Sequence, residues 1–466
     1  MAERFDVAVV GAGLAGMLTA AILARRGARV VLLEREGEVG GRLRSYEIDG
    51  FVVDAGSYLW PNAHLDDALS AAGADGFQGS AVPTDQVMRM FVEGEGGRRF
   101  AFPWPGRSGS ERAREAARVA LGAEGPVFDD LGRLWGRLAS LSDAEVAAYE
   151  RVPLRDALAA WAEDARLREA FARNVMLFGT YDPGSASAAE CIRLVRRPAT
   201  ARRPRPECAG ANEIGGVRAL AQVLREAVLR SGVDLRLGRV VEQIAVGDGR
   251  VKGLVAHGGE PWVERIEAPV VVCNAPVWQL FDLIAERYFP PEFVAEARSW
   301  AVVGGVVAAA FAFEGAPRLR DGGEPDRFLG WTRLLFAPDA SFGGGLLWSS
   351  LHSPRNAPSG RAVLQAMRLT PRHELADAER VAAIHGSFER LVLDEIYEDA
   401  RERLLWRRFW MTRDGSEYMI SAARRPPVDP PGVAGLFLVG ETTDVGAVQM
   451  DAAALSALRC AELLGG

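Results

Sequence analysis

The chain has a single lysine, Lys252, among 55 basic residues, so any chemistry that needs a primary amine has one candidate. Cysteine is scarce too: Cys191, Cys208, Cys273 and Cys460 stand far apart with no CxxC pair. That excludes a disulfide scaffold, argues against a zinc site or redox dithiol, and leaves ordinary buried thiols as the expectation. The five histidines, His64, His257, His352, His373 and His385, show no HxxxH or HExxH spacing, so no metal site is expected. There is no GxSxG elbow, which argues against an α/β-hydrolase, and no internal repeat. Positive charge is not in excess: 55 basic against 62 acidic residues give a net charge of −7, with no general pull toward nucleic acid. The longest uncharged apolar run, AVVGGVVAAAFAF from Ala301 to Phe313, falls short of the ~20 residues that cross a bilayer and reads as a buried strand. The opening MAERFDVAVV carries acidic residues and passes straight into a strand, unlike a secretory signal. The expected location is cytoplasmic, with peripheral membrane contact left open.

What is present is an ordinary globular composition, 48% hydrophobic and 25% charged over 466 residues, enough for two or three lobes. Phe5 to Val10 reads as a short buried strand, followed by a glycine turn, a helix from Leu14 to Arg26 and a second strand from Arg29 to Glu34. Ala63 to Ala72 and much of Glu111 to Ala172 read as helix. The run RRPATARRPRPE, Arg196 to Glu207, reads as an exposed connector because proline removes backbone donors and clustered arginine favours solvent. A helix over Gly215 to Ser231 precedes strands Val233–Leu237 and Val240–Val246, a GDG hairpin turn, and strands Arg250–Ala256 and Val270–Cys273. Trp278 to Arg407 reads only as mixed strand and helix. The chain closes with a strand over Leu436–Val439 and a helix over Asp451–Leu464.

Gly11, Gly13 and Gly16 form GxGxxG directly after a strand and at the start of a helix, where a dinucleotide fingerprint requires them. The first permits a tight turn, the second lets the backbone approach a pyrophosphate, and the third allows close helix packing. Leu14 and Ala15 lie in the same turn. Glu34, ending the second strand, can accept hydrogen bonds from an adenosine ribose and would repel a 2′-phosphate, which disfavours NADP. Arg35 follows it. A second element, Gly40-Gly41-Arg42, offers backbone N–H groups and a guanidinium to the middle of a longer cofactor, which points to FAD.

At these residues the sequence resembles the FAD-dependent amine oxidase and phytoene desaturase superfamily. The likeness runs through EREGEVGGRLRS (Glu34–Ser45), GFVVDAGSYLWP (Gly50–Pro61), GGVRALAQVLREAVLRSGVDLRLGRVVEQI (Gly215–Ile244), VVCNAP (Val271–Pro276) and GLFLVGETTDVGAVQMDAAALSALRCAEL (Gly435–Leu463). It implies an α/β fold: a Rossmann-like FAD-binding domain in segments 1–70, 208–280 and 411–466, interrupted by insertions 71–207, mainly helical, and 281–410, mixed, that form an α+β substrate domain. It further implies that Gly11 to Gly16 hold the pyrophosphate, Glu34 the ribose, and Arg42 the pyrophosphate or ribityl chain beside Gly41. Val241 would meet the adenine through its backbone, and Gly440 and Glu441 the pyrophosphate and ribityl region. Met450 and Ala452 would open the helix whose N–H groups face the flavin, with alanine where many relatives have glycine. The segment with Gly56 and Ser57 would pass the flavin edge, placing Tyr58 and Trp60 at the substrate cavity. No cysteine lies in the last turn before the final helix, so FAD is expected to be non-covalent.

True amine oxidases of this superfamily usually carry a lysine near flavin N5 on a strand of the second insertion and an aromatic residue just before the last helix. Ala301–Phe313 has no lysine, and GETTDVGAVQMD (Gly440–Asp451) has no Trp or Tyr. The resemblance is therefore closer to the phytoene desaturase-like branch. The expected activity is removal of a hydride from a hydrophobic, isoprenoid or polyene, substrate to flavin N5, with oxygen or a quinone as electron acceptor. A redox-neutral double-bond isomerase and an amine or amino-acid oxidase are the alternatives. No catalytic residue and no oligomeric state is assigned.

Overall fold

The computed structural model describes residues 3–55, 59–61, 64–74, 80–81, 87–92, 99–103, 126–165, 167–168, 184, 186–200, 206–208, 216–258, 262–299, 304–320, 331–335, 344–412 and 424–465. Short aliphatic runs without polar interruption build its centre, as expected of strands covered on both faces. These are Val7–Val10 (β1), Val30–Leu33 (β2), Asp234–Arg236 (β3), Val270–Cys273 (β4) and Leu436–Leu438 (β5). They form an all-parallel sheet in the order β3-β2-β1-β4-β5, the first five positions of a dinucleotide-binding fold.

Alternate residues of each strand enter opposite layers, as the two-residue period of a strand requires. Val7, Val9, Val30, Leu32 and Val272 pack into a layer of helices: Leu14–Arg25 (α1), Arg218–Arg230 (α2) and Gln449–Leu464 (α3). Ala8, Val10, Val31, Leu33 and Val271 pack the other way, against a four-stranded sheet holding Val240–Gly247, Arg250–His257 and Val263–Glu267. Its hairpin turns at Asp248 and Gly249 with φ of 55° and 69°, the left-handed pair that a two-residue turn of this hand needs.

The second lobe is a seven-stranded sheet. Its strands run in the spatial order Leu404–Thr412, Gly304–Phe313, Ala362–Pro371, Gly344–Leu347, Trp331–Leu335, Val87–Val92 and Arg99–Pro103. The apolar run expected to be a buried strand is one: Gly304–Phe313 is buried at every residue. The two strands from the first insertion were not expected there. Val87–Val92 pairs in parallel with Trp331–Leu335 of the other insertion, and a partner that distant in sequence leaves no local pattern. The Arg/Pro run also differs from the expected connector, because a helix Ala188–Thr200 continues through its first residues. Arg196 is held there by Asp143 at 2.9 Å. Pro206–Cys208 is a strand between Leu59–Pro61 and Ser80–Ala81. Among the described residues, no helix is long and apolar enough to cross a membrane.

A hairpin, Ser45–Ile48 with Phe51–Asp54, joins the lobes. Phe51 and Val53 pack on Ala310, Ala312 and Val363 of the seven-stranded sheet, and Phe51 meets Trp406 edge-on at 5.3 Å. The hairpin's last residue faces the other way in its hydrogen bonding. Asp54 Oδ1 accepts from Ser45 Oγ at 2.5 Å and from the Val217 N–H at 2.9 Å, while the Arg218 N–H donates to Ser45 Oγ at 3.1 Å. Residues from a distant segment thereby satisfy donors at the start of α2, which has no side-chain cap of its own.

Burial pushes the Asp54 carboxyl up to about 6, against the pull of the Ser45 and Val217 hydrogen bonds and of Arg218. A folded-state value above the unfolded one means that the unfolded chain releases this proton first, so the stability the group contributes is full at low pH. It is lost as pH rises through about 6, by about 3 kcal/mol in all. Asp54→Asn keeps the Oδ1 acceptor and removes the titration. Urea unfolding of both proteins between pH 4 and pH 7 should therefore show the variant gaining on the wild type as pH rises. A stability difference that stays flat over that range would contradict the assignment.

Candidate functional site

The site is built where β1 gives way to α1. Gly11 turns the chain with φ 94°, a conformation that costs glycine little, and its N–H donates to the Leu33 carbonyl at 2.7 Å. A Cβ on Gly16 would lie 2.0 Å from the Gly11 carbonyl oxygen, so only glycine lets the helix start this close to the strand end. Gly13 is the N-cap of α1, no side chain caps it, and the first turn, with Leu14 and Ala15 buried, carries no acid. Its free N–H groups and the positive end of the helix dipole thus lack a protein anion, the arrangement that binds phosphate.

Glu34, at the end of β2, is only 7% exposed. Its Oε2 accepts from the Ala12 N–H at 2.7 Å and its Oε1 from the Glu36 N–H at 3.0 Å, which fixes the carboxylate against the glycine turn. A carboxylate accepts about four hydrogen bonds, so capacity for ribose hydroxyls remains. Arg35 points outward, its side chain 67% exposed and 3.5 Å from Glu36. The second glycine element lies beside the first: the Gly40 N–H donates to the Ala12 carbonyl at 2.8 Å, and a Cβ on Gly41 would come within 3.4 Å of the Gly13 Cα. Arg42 then forms an ion pair with Glu441, bringing together two of the residues singled out from opposite ends of the chain.

The other expected residues arrive by their own strands and helices. The Arg239 N–H donates to the Glu34 carbonyl at 2.7 Å and the Gly238 N–H to the Glu36 carbonyl at 2.9 Å, so the strand bearing buried Val241 begins alongside the acid. Gly440 follows β5, and its N–H donates to Ser456 Oγ of α3 at 2.8 Å. Met450 and Ala452 open α3, with Ala452 fully buried. Asp451 between them accepts from the His64 N–H at 3.1 Å. Trp60 lies on the strand Leu59–Pro61, opposite Glu207; Gly56, Ser57 and Tyr58 lie outside the described residues. Lys252 lies on the hairpin strand Arg250–His257, its side chain 54% exposed and 3.6 Å from Asp248. Cys191, Cys273 and Cys460 are buried, and burial pushes the Cys273 and Cys460 thiols up to about 11 and about 12, so they are protonated near neutrality.

Two residues were missed as site candidates. Asn274 ends β4, and its N–H donates to the Val10 carbonyl at 2.9 Å. Its side-chain amide is so placed that a Cβ on Gly13 would lie 2.7 Å from Nδ2, and one on Gly440 3.3 Å from Oδ1. One side chain therefore spans the glycine turn and the Gly440 turn. Its place at the end of a buried strand, beside the switch in strand order, was the available signal. Arg425 donates to the carbonyls of Glu441 and Ala447 at 2.7 and 3.2 Å and to Glu190 at 2.7 Å. Nothing in its local sequence distinguishes it from the other arginines.

A parallel sheet that ends in an uncapped glycine turn, with a fixed acid on the neighbouring strand and an arginine beside both, defines a dinucleotide-binding protein. The chain belongs to the family of flavin containing amine oxidoreductases, whose model matches residues 14–464. It is similar to hydroxyneurosporene desaturase of Rubrivivax gelatinosus, 28% identical over 296 residues that make up 58% of this chain and 53% of that protein. It is likewise similar to the zeta-carotene-forming phytoene desaturase of Myxococcus xanthus, 26% identical over 310 residues, 60% of this chain and 55% of that one. The matched region spans about half the length of these curated relatives. Among solved structures, cyclohexylamine oxidase from Brevibacterium oxydans shares the fold with a TM-score of 0.65 at 16% identity, over 99% of this chain and 100% of that chain. Membership of this family implies a flavin cofactor, and the uncapped helix, the fixed acid and the half-exposed Arg42 suit FAD.

The close approach at Gly16 yields a direct test. Gly16→Ala forces the turn and α1 apart, and overpacking of this kind costs about 1–3 kcal/mol. The urea midpoint should fall and the purified variant should retain less FAD per chain than the wild type. A variant with unchanged stability and flavin content would show that the turn opens without consequence.

Proposed function

We propose that the protein removes a hydride from one carbon of a hydrophobic polyene or isoprenoid substrate to the flavin, while the neighbouring carbon loses a proton to solvent, leaving a new C=C bond. The observation that carries this reading is the lysine-free, apolar strand Gly304–Phe313, second from the edge of the seven-stranded sheet. Gly304–Phe313 contains only Gly, Val, Ala and Phe, and the chain's single lysine is half-exposed on the outer hairpin. An amine substrate needs its charge compensated or removed, which an apolar surface does poorly. A long hydrocarbon gains about 25 cal/mol for each Å² of apolar surface it buries, so few polar contacts are needed to hold it. The names of the desaturases to which the chain is similar support the same class.

When bound, FAD supplies the hydride acceptor, N5 of its ring. The chain's own residues bind and orient it. In this reading Gly11, Gly13, Leu14, Ala15 and Gly16 hold the pyrophosphate with Arg42 and Gly41, Glu34 holds the adenosine ribose with Arg35 alongside, and the backbone of Val241 meets the adenine. Gly440 and Glu441 meet the pyrophosphate and ribityl region, the backbone of Met450 and Ala452 faces the ring, Gly56 and Ser57 pass the flavin edge, and Tyr58 and Trp60 border the substrate. The FAD-binding segments are then 1–70, 208–280 and 411–466, and the substrate lobe is built from 71–207 and 281–410. FAD is held without a covalent bond, oxygen or a quinone takes the electrons, and peripheral membrane contact would give access to the apolar substrate. A second reading, oxidation of an amine, is favoured by the family's own description and by the shared fold of cyclohexylamine oxidase.

Anaerobic mixing separates the two. A polyene or isoprenoid should bleach the flavin, while primary, secondary and aromatic amines should not. Rapid bleaching by an amine with none by any apolar substrate would favour the second reading, and product formed without bleaching would indicate isomerisation.

The cofactor roles have their own tests. Acid precipitation should leave FAD in the supernatant; colour in the pellet would establish a covalent bond. Glu34→Ala should weaken FAD retention at least roughly tenfold, since each charge-assisted hydrogen bond is worth about 1.5–3 kcal/mol. Unchanged retention would remove Glu34 from the binding role.

A further inference from the structure

A chain of alternating charge, buried at its inner end, runs from helix Ala188–Thr200 to Arg425, ahead of β5, which bonds the loop between β5 and α3. Glu190, on the helix Ala188–Thr200, has its side chain 3% exposed, and Arg425 has its side chain 8% exposed. Glu190 Oε2 accepts from Arg425 Nη2 at 2.7 Å, and its Oε1 accepts from Arg193 Nη1 at 3.0 Å. Arg193 in turn pairs with Glu150. The same guanidinium of Arg425 donates through Nη1 to the carbonyls of Glu441 and Ala447, the two ends of the loop that leads into α3. Glu441 is therefore gripped twice, its carboxylate by Arg42 and its carbonyl by Arg425.

A planar fork that bonds two backbone carbonyls fixes the loop between them more firmly than a point charge can. Such a fork is tolerated in the interior only while a buried carboxylate balances it, because breaking one partner of a buried pair strands the other charge. We infer that Glu190 and Arg425 are positioning residues that set the 441–447 loop for FAD and make cofactor binding and the packing of helix Ala188–Thr200 depend on each other. The dependence is reciprocal by thermodynamic linkage: if the intact pair tightens FAD, bound FAD must equally protect the helix. The inference rests on the reading that this loop holds FAD.

The test compares Glu190→Gln, Arg425→Lys and Arg42→Ala with Arg196→Gln, which breaks an ion pair between the same helix and Asp143. Free FAD is titrated against each protein, and the midpoint potential of the bound flavin is measured alongside thermal stability. Glu190→Gln and Arg425→Lys should weaken FAD binding by roughly tenfold or more and shift the potential, whereas Arg196→Gln should leave both unchanged. Lower thermal stability in the two buried-pair variants, with affinity and potential unmoved, would mean a purely structural pair and would overturn the inference. If Arg42→Ala loosens FAD and the buried-pair variants do not, the inference alone fails; if none of the three does, the reading of the loop fails with it. Should the variants not fold, amide exchange of the wild type decides: FAD should slow exchange across residues 188–200, and equal exchange with and without FAD would overturn the coupling.

Discussion

The rest of the molecule depends on one close approach, that of α1 to the end of β1. With no Cβ on Gly16, the helix begins against the Gly11 carbonyl, and its uncapped N–H groups then point at the space just beyond the sheet. Everything assigned to the cofactor is placed relative to that point. Glu34 is locked to the turn through Ala12, Gly40 through the Ala12 carbonyl, and Asn274 by its nearness to Gly13 and Gly440. A larger residue at position 16 would move the turn from which all these distances are set.

The two lobes are joined by a few specific contacts of opposite chemistry. On one side, the hairpin ending at Asp54 buries Phe51 and Val53 against Ala310 and Ala312 while its polar end caps α2. On the other, the Glu190 to Arg425 pair fastens the helix Ala188–Thr200 to the loop before α3. The first is held by apolar burial and the second by paired charge in a dry environment, where a pair is strong when whole and costly when broken.

The dinucleotide half was legible because its signals are local. Glycine spacing, a buried four-residue strand and an acid at the next strand's end occupy about thirty adjacent residues, and each lies where that pattern requires. The seven-stranded sheet was not legible in the same way. Val87–Val92 is too short for its alternation to stand out, and of its two ladder partners, Arg99–Pro103 and Trp331–Leu335, the second is distant in sequence. Arg196 and its neighbours look like linker in sequence yet continue a helix, where Arg196 pairs with Asp143 of another helix.

Sequence alone determined the cofactor class, the order of the parallel strands' own segments and the glycine turn between β1 and α1, because such a turn is made by backbone geometry that particular residue types enforce. It also determined that no lysine would stand in the strand Gly304–Phe313 of the seven-stranded sheet. Only the tertiary structure decided which distant groups complete the site. The pairing of Arg42 with Glu441, the reach of Asn274 between two turns, and the burial of Glu190 with Arg425 arise from strands and helices meeting across the chain. A side chain's electrostatic role depends on the partner and the dielectric it meets there, and neither is written in its neighbours.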